Sequence, residues 1–143
     1  MTVYVVDASV AAKWFLEEEY SAESLELLSS QNSLHAPDWF LLEVDHVLCK
    51  KIRRGELSVT EGEEIREALD SFPVRQHRFG GLRDLAFVMA CRLGRGLYDC
   101  LYLSLARQLG GKMVTADRKF LNALSETTLA ESILWIEDVP TSR

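Results

Sequence analysis

The chain has 143 residues, one domain by length and enough to enclose a substantial core. Its 48% apolar and 27% charged composition is that of a globular protein, and its net charge of −6 argues against a general nucleic-acid-binding surface while suiting a site that takes up metal cations. No apolar run approaches the roughly 20 residues of a membrane span, Asp7 falls too early for a secretory leader, and Cys49, Cys91 and Cys100, scattered without CxxC spacing, read as reduced thiols of a cytoplasmic protein.

Along the chain, VYVV at 3–6 is a continuous apolar run, as in a strand buried on both faces. Residues 8–18 and 21–30 read as helices, with Ser21 as the cap of the second. LHA at 34–36 suits a short strand. Pro37 and Asp38 open a helix that runs to Arg54 and stops at Gly55. Thr60 and Glu63 have the spacing of a capping box for a helix to Phe72. VRQH at 74–77 suits an edge strand, and 81–93 a helix followed by Gly94 and Gly96. A helix from Asp99 to Leu109 ends in Gly110 and Gly111; then come a strand at 112–115, a helix at 117–125 and a last strand at 133–136. Short strands alternating with helices predict an α/β fold, a three-layer α/β/α sandwich on a short, mostly parallel sheet, with residues 1–143 as one domain.

Ligands of open α/β sheets bind outside the carboxyl ends of the strands. Asp7 ends the first strand and sits on that edge. From Asp99, a helix of about eleven residues descends roughly 16 Å. The glycine pair turns the chain, and the strand from Lys112 climbs back roughly 13 Å. Asp117 therefore returns to the edge that Asp99 left. Glu43 lies about one and a half turns into its helix, and helical side chains tilt toward the N-terminus, so a glutamate there can reach back up. Four carboxylates thus converge: Asp7, Glu43, Asp99 and Asp117. Such a cluster repels itself unless a cation sits among its members, and oxygen-only ligands suit Mg²⁺ or Mn²⁺. No HExxH, CxxC or His-rich spacing argues for zinc.

VVDASV, LLEVDHVL, GLYDCLYLSLA and MVTADRKF, in this order and at these spacings, resemble the PIN-domain family, and more narrowly the toxins of VapBC-type toxin–antitoxin pairs. The resemblance implies a metal-dependent ribonuclease that cuts RNA, is inhibited by a cognate antitoxin, and forms a homodimer. It puts Asp7, Glu43, Asp99 and Asp117 at the family's acidic positions and Ser9 and Thr115 at its small hydroxyl positions. His46 departs from the asparagine that is frequent three residues after the glutamate.

In the favoured mechanism Asp7 and Asp99 chiefly hold Mg²⁺ or Mn²⁺, while Glu43 and Asp117 complete the shell or orient the nucleophile. Singly, Asp7 and Asp117 also read as helix N-caps and Asp99 as a first-turn residue favoured by the helix dipole. Glu43 is more telling, because it interrupts an apolar stretch where a carboxylate is costly without a partner. Asp45, about 200° around the helix, should face elsewhere. Glu43, His46, Lys50 and Arg54 follow helical steps of three, four and four, a stripe along which RNA can lie or simply a solvated face. Arg92, Arg95, Arg118 and Lys119 are further cations near the edge. Apolar residues of the first helices (Val10, Trp14, Phe15, Leu25, Leu28) are the expected groove for an antitoxin helix. Two other classes fit less well. A phosphoaspartate receiver needs adjacent acids after the first strand and a late lysine, where this chain has Ala8 and Thr115. A PIN-like module that only binds would not need four acids.

Overall fold

The computed structural model describes residues 1–141. Among them, five strands form a sheet in the order β3-β2-β1-β4-β5, every pairing parallel. They are β1 (Thr2–Val6), β2 (Asn32–Pro37), β3 (Val74–His77), β4 (Lys112–Thr115) and β5 (Ile133–Trp135). The helices are α1 (Ala8–Ala12), α2 (Ser21–Glu26), α3 (Phe40–Arg53), α4 (Val59–Leu69), α5 (Arg83–Leu93), α6 (Leu97–Leu109) and α7 (Arg118–Leu124). They cover the sheet on both faces in the three-layer α/β/α arrangement that the alternation predicts. Parallel strands buried on both faces need apolar side chains throughout: Tyr4, Val5 and Val6 of β1 and Met113 and Val114 of β4 are all buried. The central helix α6 packs on β1, β2 and β4, and its residues Cys100 to Ala106 are all buried. Neighbouring α5 lies against it.

The turn from α6 into β4 requires its two glycines. Gly110 ends the helix at φ +68°, a left-handed conformation that side chains disfavour. A Cβ on Gly111 would stand 2.5 Å from the carbonyl oxygen of Val3, so only glycine lets β4 start against β1.

Several boundaries differ from the sequence reading. The expected helix 8–18 stops at Ala12. Trp14 Nε1 donates to the Ser24 carbonyl at 2.9 Å, and Ser24 Oγ donates to the Val10 carbonyl at 2.7 Å, folding the chain back. Ser21 does not cap α2. The residue before the helix is Tyr20, at φ 67°, while Ser21 Oγ donates to the Leu16 carbonyl and accepts from the Glu18 amide. The capping box of α4 is Ser58 with Glu61, two residues earlier than expected, because burying Leu57, Ile65 and Leu69 sets the helix start. Helix α6 begins at Leu97, which leaves Asp99 inside its first turn. Strand β2 is longer than 34–36, and β5 ends before Ile136.

Candidate active site

The sheet order makes one position special. The chain winds outward from β1 through β2 to β3, then returns to place β4 on the other side of β1. The crevice between β1 and β4 is thus the topological switch point, where ligands of such sheets bind. Val6 pairs with Val114, so Asp7 and Thr115 are the next residues on each side of that crevice.

Asp7 caps α1. Its Oδ1 accepts the Val10 amide at 2.8 Å and the Ser9 hydroxyl at 2.9 Å. Burial still pushes its carboxyl up to about 6, and the charges of Asp99 and Glu43 add to the rise. Glu43 reaches the cluster from the first turn of α3, where its Oε1 accepts the Tyr102 hydroxyl at 2.7 Å. Burial raises its carboxyl above the usual range; Tyr102 opposes the rise and Asp99 reinforces it. Asp99 is raised by burial first and by Asp117 next. Asp99 thus acts on both Asp7 and Glu43, Glu43 acts on Asp7, and Asp117 acts on Asp99.

Asp117 is held at the rim and is about half exposed. Its Oδ1 caps α7 by accepting the amides of Lys119 and Phe120, at 3.0 and 3.2 Å. Its Oδ2 lies 3.3 Å from an Arg95 nitrogen. Thr115 Oγ1 accepts the Asp117 amide at 3.0 Å and so fixes the turn. Asp7 and Asp117 are therefore helix caps and members of the acidic cluster at once. Ser9 orients a carboxylate, while Thr115 orients backbone.

Among the described residues no three His, Cys, Asp or Glu side chains already close into a cage around one point. The donor set nevertheless fits a hard divalent cation. It is all oxygen, and its three inner carboxyls are strained by burial and by one another, two penalties that a cation between them relieves.

A family model described as PIN domain matches residues 4–124. The chain belongs to the PIN-domain family. Over 117 residues this PIN domain is 35% identical to Ribonuclease VapC3 of Pyrobaculum aerophilum, an overlap of 80% of this chain and 89% of the relative. Its fold is similar to the crystal structure of PAE2754 from Pyrobaculum aerophilum, with a TM-score of 0.68 and 23% identity over 95% of this chain and 85% of the other. It is also similar to VapBC2 from Rickettsia felis bound to a DNA fragment from their promoter, with a TM-score of 0.65 and 14% identity over 94% and 98%. The sheet order also differs from the 2-1-3-4-5 order of flavodoxin-like folds.

Other side chains surround the PIN domain's acids. Tyr102 was not singled out by the sequence reading, although it stands three residues after Asp99, the spacing that stacks side chains on one helix face. Asp45 does face elsewhere, its two oxygens held by Arg66 at 2.6 and 3.2 Å. His46, Lys50 and Arg54 are all exposed on α3, and His46 lies near enough to oppose the rise at Glu43. Arg118 stacks on Trp135 at 3.8 Å, and Lys51 pairs with Glu18 at 2.9 Å.

The expected apolar groove on the first helices is not there. Val10 and Trp14 are buried in the core, and of the five residues only Leu25 is exposed. Apolar surface is instead concentrated beside the acidic cluster, around a cavity of about 1400 Å³ lined by Trp39, Leu42, Phe79, Phe87, Val88 and Tyr98, with Glu43 in its wall. It forms because α3, α5 and the start of α6 meet without a further layer over them.

Proposed function

We propose that this chain is a metal-dependent endoribonuclease, the toxin of a type II toxin–antitoxin system, acting in the cytoplasm. The carrying observation is the cluster of Asp7, Glu43 and Asp99 at the switch point, each carboxyl raised by burial and by a neighbouring acid. Two similarities support the reading: the relative named a ribonuclease and the fold shared with VapBC2.

Asp7 and Asp99 would hold the cation. Bound there, Mg²⁺ or Mn²⁺ would acidify a water and neutralise charge developing on the phosphate. Ser9 and the Val10 amide fix Oδ1 of Asp7, and Oδ2 would serve the cation. Tyr102 likewise fixes Oε1 of Glu43, and the Ala8 amide also acts on this carboxylate. A glutamate with a raised pKa is a better proton acceptor, so the Glu43 carboxylate is suited to take the proton of the attacking water as the P–O bond of the RNA breaks. Asp117 completes the acidic set from the rim.

RNA is the substrate, and the protein partners are the cognate antitoxin and a second copy of this chain. The apolar face beside the site is assigned to the second copy. It carries a cavity and also side chains that project to fill one, Leu42 at 70% and Phe87 at 64% exposure. At the start of α5, Arg83 and Asp84 stand together outside the ion pairs formed among the described residues, opposite charges that a twofold axis can cross-match. A monomer in light scattering at micromolar concentration overturns that assignment.

The test of the activity is incubation of the purified protein with total RNA, with Mg²⁺ or Mn²⁺ and with a chelator. Discrete fragments that appear only with metal are expected. Intact RNA under every metal condition would reduce the chain to a PIN-like binding module.

A further inference from the structure

The fold brings a cation into the acidic cluster. Arg95 occupies the short link between α5 and α6, its side chain three-quarters buried. Its guanidinium reaches Asp117 Oδ2 at 3.3 Å and lies 5.7 Å from the centre of the Phe120 ring. Its charge also acts on Asp99, opposing the rise that burial and Asp117 impose.

These contacts hold it loosely. A guanidinium has five N–H donors, and the contact with Asp117 uses one nitrogen. Arg95 Nε is buried with no hydrogen-bond partner, an arrangement that proteins rarely leave unexplained. The ring contact is near the outer limit of about 6 Å for a cation–π pair. Two other arginines in the chain show firmer engagement. Arg66 clasps both oxygens of Asp45, and the Arg118 guanidinium carbon lies 3.8 Å from the centre of the Trp135 ring. Arg95 keeps most of its donors unused at the place where a phosphate has to enter a field of carboxylates.

We propose that Arg95 grips the substrate phosphate: its guanidinium leaves Asp117 and takes two phosphate oxygens when RNA binds. The geometry of the guanidinium fork matches that of a phosphate. The same movement provides Nε with an acceptor and frees Asp117 Oδ2, so the acidic set is completed as substrate arrives. The proposal rests on the ribonuclease reading above.

The experiment measures binding, not turnover. Asp99→Asn protein in Mg²⁺ buffer, disabled for cleavage, is titrated with a fluorescent RNA hairpin across a salt series. Adding Arg95→Ala should weaken binding about tenfold and reduce the slope of log K against log salt by about 0.7–0.9, the loss of one phosphate contact. Arg95→Lys should keep the slope and recover only part of the affinity, because an ammonium cannot grip two oxygens at once. An unchanged slope in Arg95→Ala overturns the proposal. So does a lowered melting temperature with unchanged RNA affinity, which would leave Arg95 as a structural partner of Asp117. Total RNA left intact by the wild-type protein under every metal condition would overturn the ribonuclease reading and this proposal with it.

Discussion

Two carboxylates two residues apart on α3 have opposite fates. Asp45 faces α4, where Arg66 clasps both its oxygens. Glu43 faces the switch point, where it meets a tyrosine hydroxyl, the Ala8 amide and another acid, Asp99. On the α4 flank the fold gives a carboxylate its counter-charge; at the sheet edge it brings carboxylates together and leaves most of their charge uncompensated. Stability alone does not favour the second arrangement. It suits the edge to the cation proposed for it, with Arg95 as the chain's own contribution of charge there.

Neutralising one member on each side tests that contrast most directly. Asp99→Asn should reduce RNA cleavage to background while the protein stays folded, and without metal it should melt at or above the wild-type temperature because repulsion is relieved. Asp45→Asn should leave cleavage intact and change stability little, because the ion pair it removes is exposed and screened by solvent. Equal cleavage by Asp99→Asn and wild type would erase the distinction between the two regions.

The pH dependence separates them next. Burial pushes the Asp7 carboxyl up to about 6 in the folded, metal-free protein, against an ordinary aspartate value near 4 when unfolded. A carboxyl raised in the folded state stabilises below the unfolded value and loses that contribution as pH rises through the folded one. Between about pH 4 and 6, therefore, Asp7 should cost the metal-free protein stability as pH rises. Glu18, lowered by Lys51 and Lys13 against its burial, works in the opposite sense, so the comparison to make is wild type against Asp7→Asn. The melting temperature of wild type should decline relative to the mutant across this window. Metal affinity should climb across the same window, because the ligands must be deprotonated. Parallel melting profiles would show that Asp7 is not raised.

Smaller effects sharpen the picture. Tyr102→Phe removes the donor at Glu43 Oε1 and should slow cleavage about tenfold, the scale of a hydrogen bond to a charged group. A wild-type rate would remove Tyr102 from the site. The exposed stripe beyond Glu43 should matter least. Lys50→Ala with Arg54→Ala should weaken RNA binding a few-fold and flatten its salt dependence, with little change in turnover at saturating RNA. An unchanged salt slope would return that face to solvent.

The sequence by itself determined the layered α/β class, the strand-end position of Asp7, and the return of Asp117 to the level of Asp99. These follow from local periodicity, from the glycine pair and from the fixed rise of helices and strands. It also determined that Glu43 and Asp45 diverge, since 100° per residue fixes their directions on one helix. Only the tertiary structure decided where α1 stops, because the Trp14 and Ser24 hydrogen bonds that end it join residues ten or more apart. The apolar face was likewise invisible in the sequence. Phe87 and Leu42 have the same chemistry as the buried Phe120 and Leu48, and only the layer missing above α3 and α5 leaves them exposed. The arginines differ for the same reason: Arg66, Arg95 and Arg118 carry one charge and one shape, and a carboxylate, a rim contact or an indole ring across the fold sets what each can do.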